Sequence, residues 1–255
     1  MSSKPDFSRL AASYDRIRPV DENWWEVFHH VERAADLPGR RVLDVGCGTG
    51  RLEAALADRA KVWGVDAEPA MLEVARANVP GARFKEGRAE ALPFKDAWFE
   101  RVVMWLSAHL VDRAGAFAEA RRVLGADGRL AVVTFDPSYF PTYWLNELFP
   151  SMEAVDRERF SSAEELEAEL RAAGFAGVAV SHLSQVGVHE REAALERIRG
   201  KHISTFDLIS PEEYDEGLAR AERELPERIE YPIEWLIAVA FVQPAGSNER
   251  ATASA

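Results

Sequence analysis

Between residues 40 and 136, short apolar runs alternate with stretches in which apolar residues recur every three or four positions. The runs "RRVLDVG" (40–46), "AKVWGVD" (60–66), "ARFKEG" (82–87), "FERVVMWLSA" (99–108) and "GRLAVVTFD" (128–136) predict five strands. "RLEAALADR" (51–59), "EPAMLEVARANV" (68–79) and "RAGAFAEARRVL" (113–124) predict helices, the second with Pro69 in its first turn and the third stopped by Gly125. Strands alternating with helices imply right-handed crossovers and a parallel sheet.

After residue 136 the rhythm changes. "PSYFPTYWLNELFP" (137–150) is aromatic and broken by prolines, unlike a regular element. "SSAEELEAELRAAGF" (161–175) predicts a helix capped by Ser161 or Ser162 and stopped by Gly174. "GVAVSHLSQVG" (177–187) alternates as a strand, "HEREAALERIR" (189–199) and "SPEEYDEGLARAERELP" (210–226) predict helices, and "IEWLIAVAFVQ" (233–243) predicts a final apolar strand. That makes seven strands, with a helical insert between the last two. The segments "AASYDRIRP" (11–19) and "NWW" (23–25) are assigned to packing or to a lid, and the tail 246–255 reads as disordered.

Composition narrows the class. The chain has 255 residues, 47% of them hydrophobic, enough for one domain with insertions. No run approaches the ~20 apolar residues of a membrane span, and the N-terminus has neither the basic nor the apolar region of a signal peptide. A single cysteine rules out an internal disulfide and a cysteine-ligated metal site, and favours a cytoplasmic protein. His182, His189 and His202 show no metal-ligand spacing and read as surface residues. A formal net charge of −12 disfavours a nucleic-acid partner.

The chemistry concentrates in "LDVGCGTGRL" (43–52). In open parallel sheets, ligands sit at the carboxyl ends of the strands where the strand order reverses. A phosphate cradle would need a lysine after the glycines, and none follows. A dinucleotide turn would need its third glycine one residue later than Gly50, and Asp44 would repel a pyrophosphate while suiting an ammonium group. Cys47 has no local histidine to activate it and has a carboxylate beside it, so it reads as a small residue in a tight turn.

"VLDVGCGTG" followed by "GVDAEPAMLEVAR" resembles the class I S-adenosylmethionine-dependent methyltransferases, most closely the branch containing ubiquinone- and menaquinone-biosynthesis enzymes and related small-molecule methyltransferases. "EGRAEALPF" and "HLVDRAGAFAEARRVLGADGRL" follow in the order that family shows. The resemblance implies an α/β fold: a seven-stranded, mostly parallel Rossmann-like sheet with helices on both faces, an antiparallel last strand inserted near the edge, and a helical and aromatic lid. It implies one methyltransferase domain over 1–245, with an N-terminal lid segment at 1–30, a cofactor core at 40–136 and lid insertions at 137–160 and 188–232.

The resemblance also implies roles. The turn Asp44, Gly46, Cys47 and Gly48 would face S-adenosylmethionine, with Asp44 toward its amino group and the two glycines admitting the ligand where a Cβ would clash. Asp66 would accept hydrogen bonds from both ribose hydroxyls, and Ala67 and Met71 would pack on the adenine. The family usually has an acid where this chain has Arg88, so the adenine contact would pass to the Ala89 backbone or to Glu90, or Arg88 would stack or point outward. Trp105 would wall the sulfonium, and His109 would orient or deprotonate a substrate hydroxyl. Tyr14, Arg18, Tyr139, Tyr143 and Trp144 would close over a small-molecule acceptor, and no metal is expected. Reactions other than methyl transfer remain at this stage: a non-catalytic binder built on the same fold, or a nicotinamide-dependent oxidoreductase. The sequence leaves the acceptor and the oligomeric state open.

Overall fold

The central strands are apolar on both faces because both faces are covered. β1 (Arg41–Val45), β2 (Lys61–Asp66), β3 (Arg83–Glu86), β4 (Phe99–Trp105) and β5 (Leu124–Phe135) run parallel in the computed structural model, which describes residues 7–243. The tail expected to be disordered lies outside the described residues. The sheet has seven strands in the order β3-β2-β1-β4-β5-β7-β6. β7 (Arg228–Phe241) is antiparallel to both β5 and β6 (Gly177–Glu190) and lies between them. The order reverses between β1 and β4, which places a crevice at their carboxyl ends.

Alternation along the strands sorts the core into two layers. Leu43, Val65, Val102, Met104, Leu130, Val132, Leu236 and Ala238 turn toward α5 (Arg113–Val123) and α7 (Ala163–Ala172). Val42, Val62, Val103, Ala131, Val133, Ile237 and Val239 turn toward α2 (Glu22–Ala35) and α3 (Arg51–Leu56). Each valine, leucine, isoleucine or methionine among them, fully buried, contributes about 1.5–3 kcal/mol. α4 (Pro69–Asn78) lies beside β2 and β3 and buries Met71, Leu72 and Ala75.

Several expectations are corrected. The segment around "NWW" belongs to a 14-residue helix, α2, whose N-cap Asp21 accepts from the Trp24 backbone at 2.9 Å. The third predicted helix ends at Val123, ahead of Gly125, because Leu124 already pairs with Phe99 in the sheet. Residues 137–150 form two 3-10 turns, Pro137–Thr142 and Trp144–Glu147, followed by an unanticipated helix α6 (Met152–Arg159). The insert is narrower than 188–232: β6 runs on to Glu190 and β7 starts at Arg228, because Val186, Gly187, Val188 and His189 pair with Pro232, Tyr231, Glu230 and Ile229. What remains between them is α8 (Arg191–Arg199), a 3-10 turn Ser204–Asp207 and α9 (Pro211–Glu224), which with residues 145–152 share a separate core around Phe149, Phe206 and Tyr214.

One buried charge joins α2 to the sheet. The Arg101 side chain in β4 is 4% exposed and pairs with Asp36 at 2.6 Å. It also donates to the Ala35 carbonyl at 2.6 Å, where α2 ends and its carbonyls lack helical partners. Arg101→Met should therefore destabilise the protein by about 2 kcal/mol, read as a lower urea midpoint at unchanged slope. An unchanged midpoint would show that this staple adds nothing.

Candidate functional site

At the end of β1 the chain turns sharply. The Gly46 and Cys47 amides donate to the Val65 carbonyl at 2.8 and 3.1 Å, tying the turn to β2. Gly46 and Gly48 take φ of +78° and +52°, a region that side chains rarely adopt. A Cβ on Gly46 would sit 2.6 Å from the Ser107 Cβ, whereas one on Gly48 would meet no atom within 4 Å. Gly46 thus makes room for Ser107, which donates to the Val45 carbonyl at 2.7 Å. The open side of the turn is at Gly48.

Acidic groups gather under this turn. Asp66, at the end of β2, accepts from the Gly48 amide at 2.8 Å and the Glu68 amide at 2.9 Å. Burial raises the Asp66 carboxyl, and those amides pull it back. Asp44 is buried, and its Oδ1 meets no donor among the described residues. Burial, reinforced by the Asp66 charge, pushes it up to about 8. Glu53 in α3 is fully buried with neither oxygen partnered, and burial followed by the Asp44 charge holds it well above the usual carboxylate range. It fits because residue 64 is glycine: a Cβ there would lie 2.4 Å from Glu53 Oε1. Cys47 is buried beside these acids, and burial, then Glu53, pushes its thiol far up, so it stays protonated and unreactive.

Sequence reading missed Glu53, although Leu52, Glu53 and Leu56 are the residues α3 buries, which puts an acid on its core-facing side. Such a group in an apolar surrounding is costly unless it stays neutral or meets a cation. The residues present therefore fit a cofactor that brings an ammonium group to an open glycine turn.

Across the crevice, Trp105 stacks on Trp24 with centroids 5.2 Å apart and meets Trp235 edge-on. His109 stacks on Phe160 at 4.2 Å, and its Nδ1 is enclosed without a partner among the described residues. Burial, then the charges of Arg159, Arg18 and Arg113, hold its pKa well below the ordinary value, so the ring is neutral. Arg88 points outward and pairs with Glu90 at 3.3 Å, while Glu90 also accepts from the Asp112 amide at 3.0 Å. Ala89 is buried, and Ala67 begins the loop between β2 and α4.

The N-terminal segment closes one side. Asp15 in α1 (Tyr14–Ile17) accepts from Thr49 at 2.7 Å, Arg51 at 2.8 Å and Asn78 at 3.0 Å, joining three elements around the glycine turn. Met71 packs against Leu10 and Ala11 of this segment. Arg18 donates to the Tyr14 hydroxyl at 3.1 Å. Tyr139 packs on Phe140 and Phe160, and Tyr143 and Trp144 lie by Tyr231. The reading of the histidines as surface residues holds for half-exposed His182 but fails for His202, which is buried and hydrogen-bonded to the Arg197 carbonyl, and for His189, bonded to Tyr231. No group of three potential ligands that could hold a metal occurs among the described residues, and no helix there is long and apolar enough to cross a membrane.

Comparison with known proteins agrees with this geometry. The methyltransferase domain family matches residues 42–128. A malonyl-[acyl-carrier protein] O-methyltransferase from Geobacter sulfurreducens is 36% identical over 72% of this chain and 73% of its own length. A demethylmenaquinone methyltransferase from Symbiobacterium thermophilum is 36% identical over 48% of this chain and 55% of its own length, so the match spans about half of that relative. Among solved structures, the YcgJ protein from Bacillus subtilis superposes with a TM-score of 0.60 at 25% identity, covering 85% of this chain and 98% of that one.

The buried acids set a pH dependence. An Asp44 carboxyl with a pKa of about 8 when folded, against 3.8 as its ordinary value, binds more protons in the folded chain between those limits. Stability then falls as pH rises across that window. The ligand-free protein should lose thermal stability from pH 5 to pH 8, and Asp44→Asn should flatten the slope. Equal slopes in the two proteins would show that Asp44 is charged throughout.

Proposed function

The chain belongs to the class I S-adenosylmethionine-dependent methyltransferases, and on that premise we propose that it moves the cofactor's methyl group to a small, fairly apolar acceptor, with oxygen favoured over nitrogen or carbon. The observation that carries this reading is the unpartnered, buried Asp44 carboxyl beside the open glycine turn, an arrangement suited to a ligand ammonium group. The Geobacter relative's named activity is an O-methylation, which supports oxygen. S-adenosylmethionine, when bound, supplies an electrophilic methyl on a sulfur that departs as a neutral sulfide.

The protein's share of the work is alignment and exclusion of water. In this reading Asp44 holds the cofactor's amino group, Gly46, Cys47 and Gly48 shape the turn, and Asp66 binds the ribose hydroxyls. Ala67 and Met71 pack on the adenine, with Ala89 and Glu90 beside it, and outward-facing Arg88 takes no part. Trp105 walls the reacting methyl. Holding nucleophile, methyl and sulfur in line can account for about 7–11 kcal/mol of the barrier. His109, neutral and with a free ring nitrogen, accepts the proton of a hydroxyl acceptor. Tyr14, Arg18, Tyr139, Tyr143 and Trp144 close over the acceptor. The reading treats 1–245 as one domain in the cytoplasm, and the net charge of −12 favours a small-molecule acceptor over a nucleic acid.

Two variants separate cofactor binding from chemistry. Asp66→Ala should weaken S-adenosylhomocysteine binding at least ~10-fold by calorimetry, because two hydrogen bonds to a charged group are lost. His109→Ala should lower turnover of a hydroxyl acceptor by ~10²-fold with little change in cofactor affinity. Unchanged turnover would remove His109 from the chemistry. Failure of the unaltered protein to bind S-adenosylhomocysteine would remove the enzyme reading.

A further inference from the structure

Arg18 and Arg197 stand where the N-terminal segment meets the insert. That junction is stitched by Arg9 to Asp207 at 3.1 Å and by Arg16 to Glu196. Many arginines of this protein pair with a carboxylate, among them Arg40, Arg101, Arg113, Arg122 and Arg159. Arg18 and Arg197 have no carboxylate within ion-pair distance among the described residues. Arg18 bonds only to a phenol, the Tyr14 hydroxyl, and lies 5.2 Å from that ring's centroid. Arg197 is half-buried in α8, and its side chain makes no hydrogen bond there. Burial lowers its pKa, and the Arg18 charge lowers it further.

Most of the groups facing this pair are polar but uncharged. The Tyr231 hydroxyl lies 2.8 Å from His189 Nε2, and the Tyr143 and Trp144 rings lie 5.9 and 6.1 Å from the Tyr231 ring. Burial raises Tyr231 to about 12, raises Tyr143 further and lowers His189 to about 4, so all three are neutral at pH 7. Trp144 Nε1, a donor only, is enclosed with no acceptor among the described residues. The carboxylate that acts on Arg197 is Asp21, already engaged as the cap of α2. Two half-buried cations with no ion pair among the described residues, beside an unsatisfied donor, form an arrangement that an incoming anion would relieve. The Arg18 charge also helps to hold the His109 pKa down.

We propose that Arg18 and Arg197 form an anion site that grips an acidic group on the methyl acceptor, a carboxylate or a phosphate ester, between the N-terminal segment and the insert. The acceptor is then amphiphilic, with its apolar body against the Tyr143, Trp144 and Tyr231 rings and its acidic end between the guanidinium groups. Arginine suits both anions, since its planar fork offers paired donors to either. This rests on the methyl-transfer reading, because it names a feature of that acceptor.

The test titrates phenylacetate, phenyl phosphate and neutral benzyl alcohol into the full chain saturated with S-adenosylhomocysteine, at fixed ionic strength. At least one acid should bind at least ~10-fold more tightly than benzyl alcohol, and the tighter of the two identifies the anion class. Arg197→Gln should erase that preference, and Arg197→Lys should keep part of it. Binding of neither acid, equal binding of benzyl alcohol, or full retention of the preference in Arg197→Gln would overturn the proposal and leave methyl transfer standing. Absence of S-adenosylhomocysteine binding in the unaltered protein would instead overturn the methyl-transfer reading itself.

Discussion

A carboxyl group without a partner, buried under a glycine-rich turn, is the constraint around which this crevice is arranged. Asp44 cannot ionise cheaply where it stands, because Glu53 and Asp66 lie close by and water is excluded. Its position is not an accident of loop packing. It is fixed by β1, whose register against β2 aligns Asp44 with Gly64, the one residue small enough to leave Glu53 its space. The turn above is fixed in the same way by amides donated to Val65 and to Asp66. In the free protein the acid avoids the cost of a buried charge by staying largely protonated.

Asp44 and Asp66 lie at the ends of β1 and β2 and Glu53 in α3, while Arg18 follows α1 and Arg197 lies in α8, outside the sheet. Asp15 links the N-terminal segment to the turn through Thr49, Arg51 and Asn78, so the position of Arg18 and the shape of the turn are mechanically joined. A zwitterionic cofactor and an acidic acceptor would each find a complementary charge on a different element.

The sheet was legible because its signals are local and redundant. β1, β2 and β5 are apolar runs ended by a glycine or an acid, and an alternating layer needs no tertiary information to be recognised. Asp44, the glycine turn and Asp66 were legible for the same reason. α2 carried a readable pattern too, with Trp24, Val27, Phe28 and Val31 on one helical face after a capping Asp21, but its aromatic density drew it toward a lid. The ends of the insert were misplaced because Val186 and Val188 continue a strand whose partner, β7, lies some 40 residues on, a pairing that local pattern does not encode. Arg197, Tyr231 and His189 were missed for the same reason: each is unremarkable in sequence and gains meaning only where α8 and the long β6–β7 arm bring them to one place. Gly46 adds a requirement that local pattern does not show, since a Cβ there would meet Ser107, more than sixty residues on.

The most direct measurement is calorimetric titration of S-adenosylhomocysteine into the ligand-free protein at pH 7 in two buffers of different ionisation enthalpy. With Asp44 at about 8 in the free protein, it is mostly protonated at that pH and must give up its proton as the ligand's ammonium group docks. The account predicts net proton release on binding, lost in Asp44→Asn. Binding with the same heat in both buffers would contradict it, since Asp44 would then be ionised before the ligand arrives and the buried acid would not be what the site is built around.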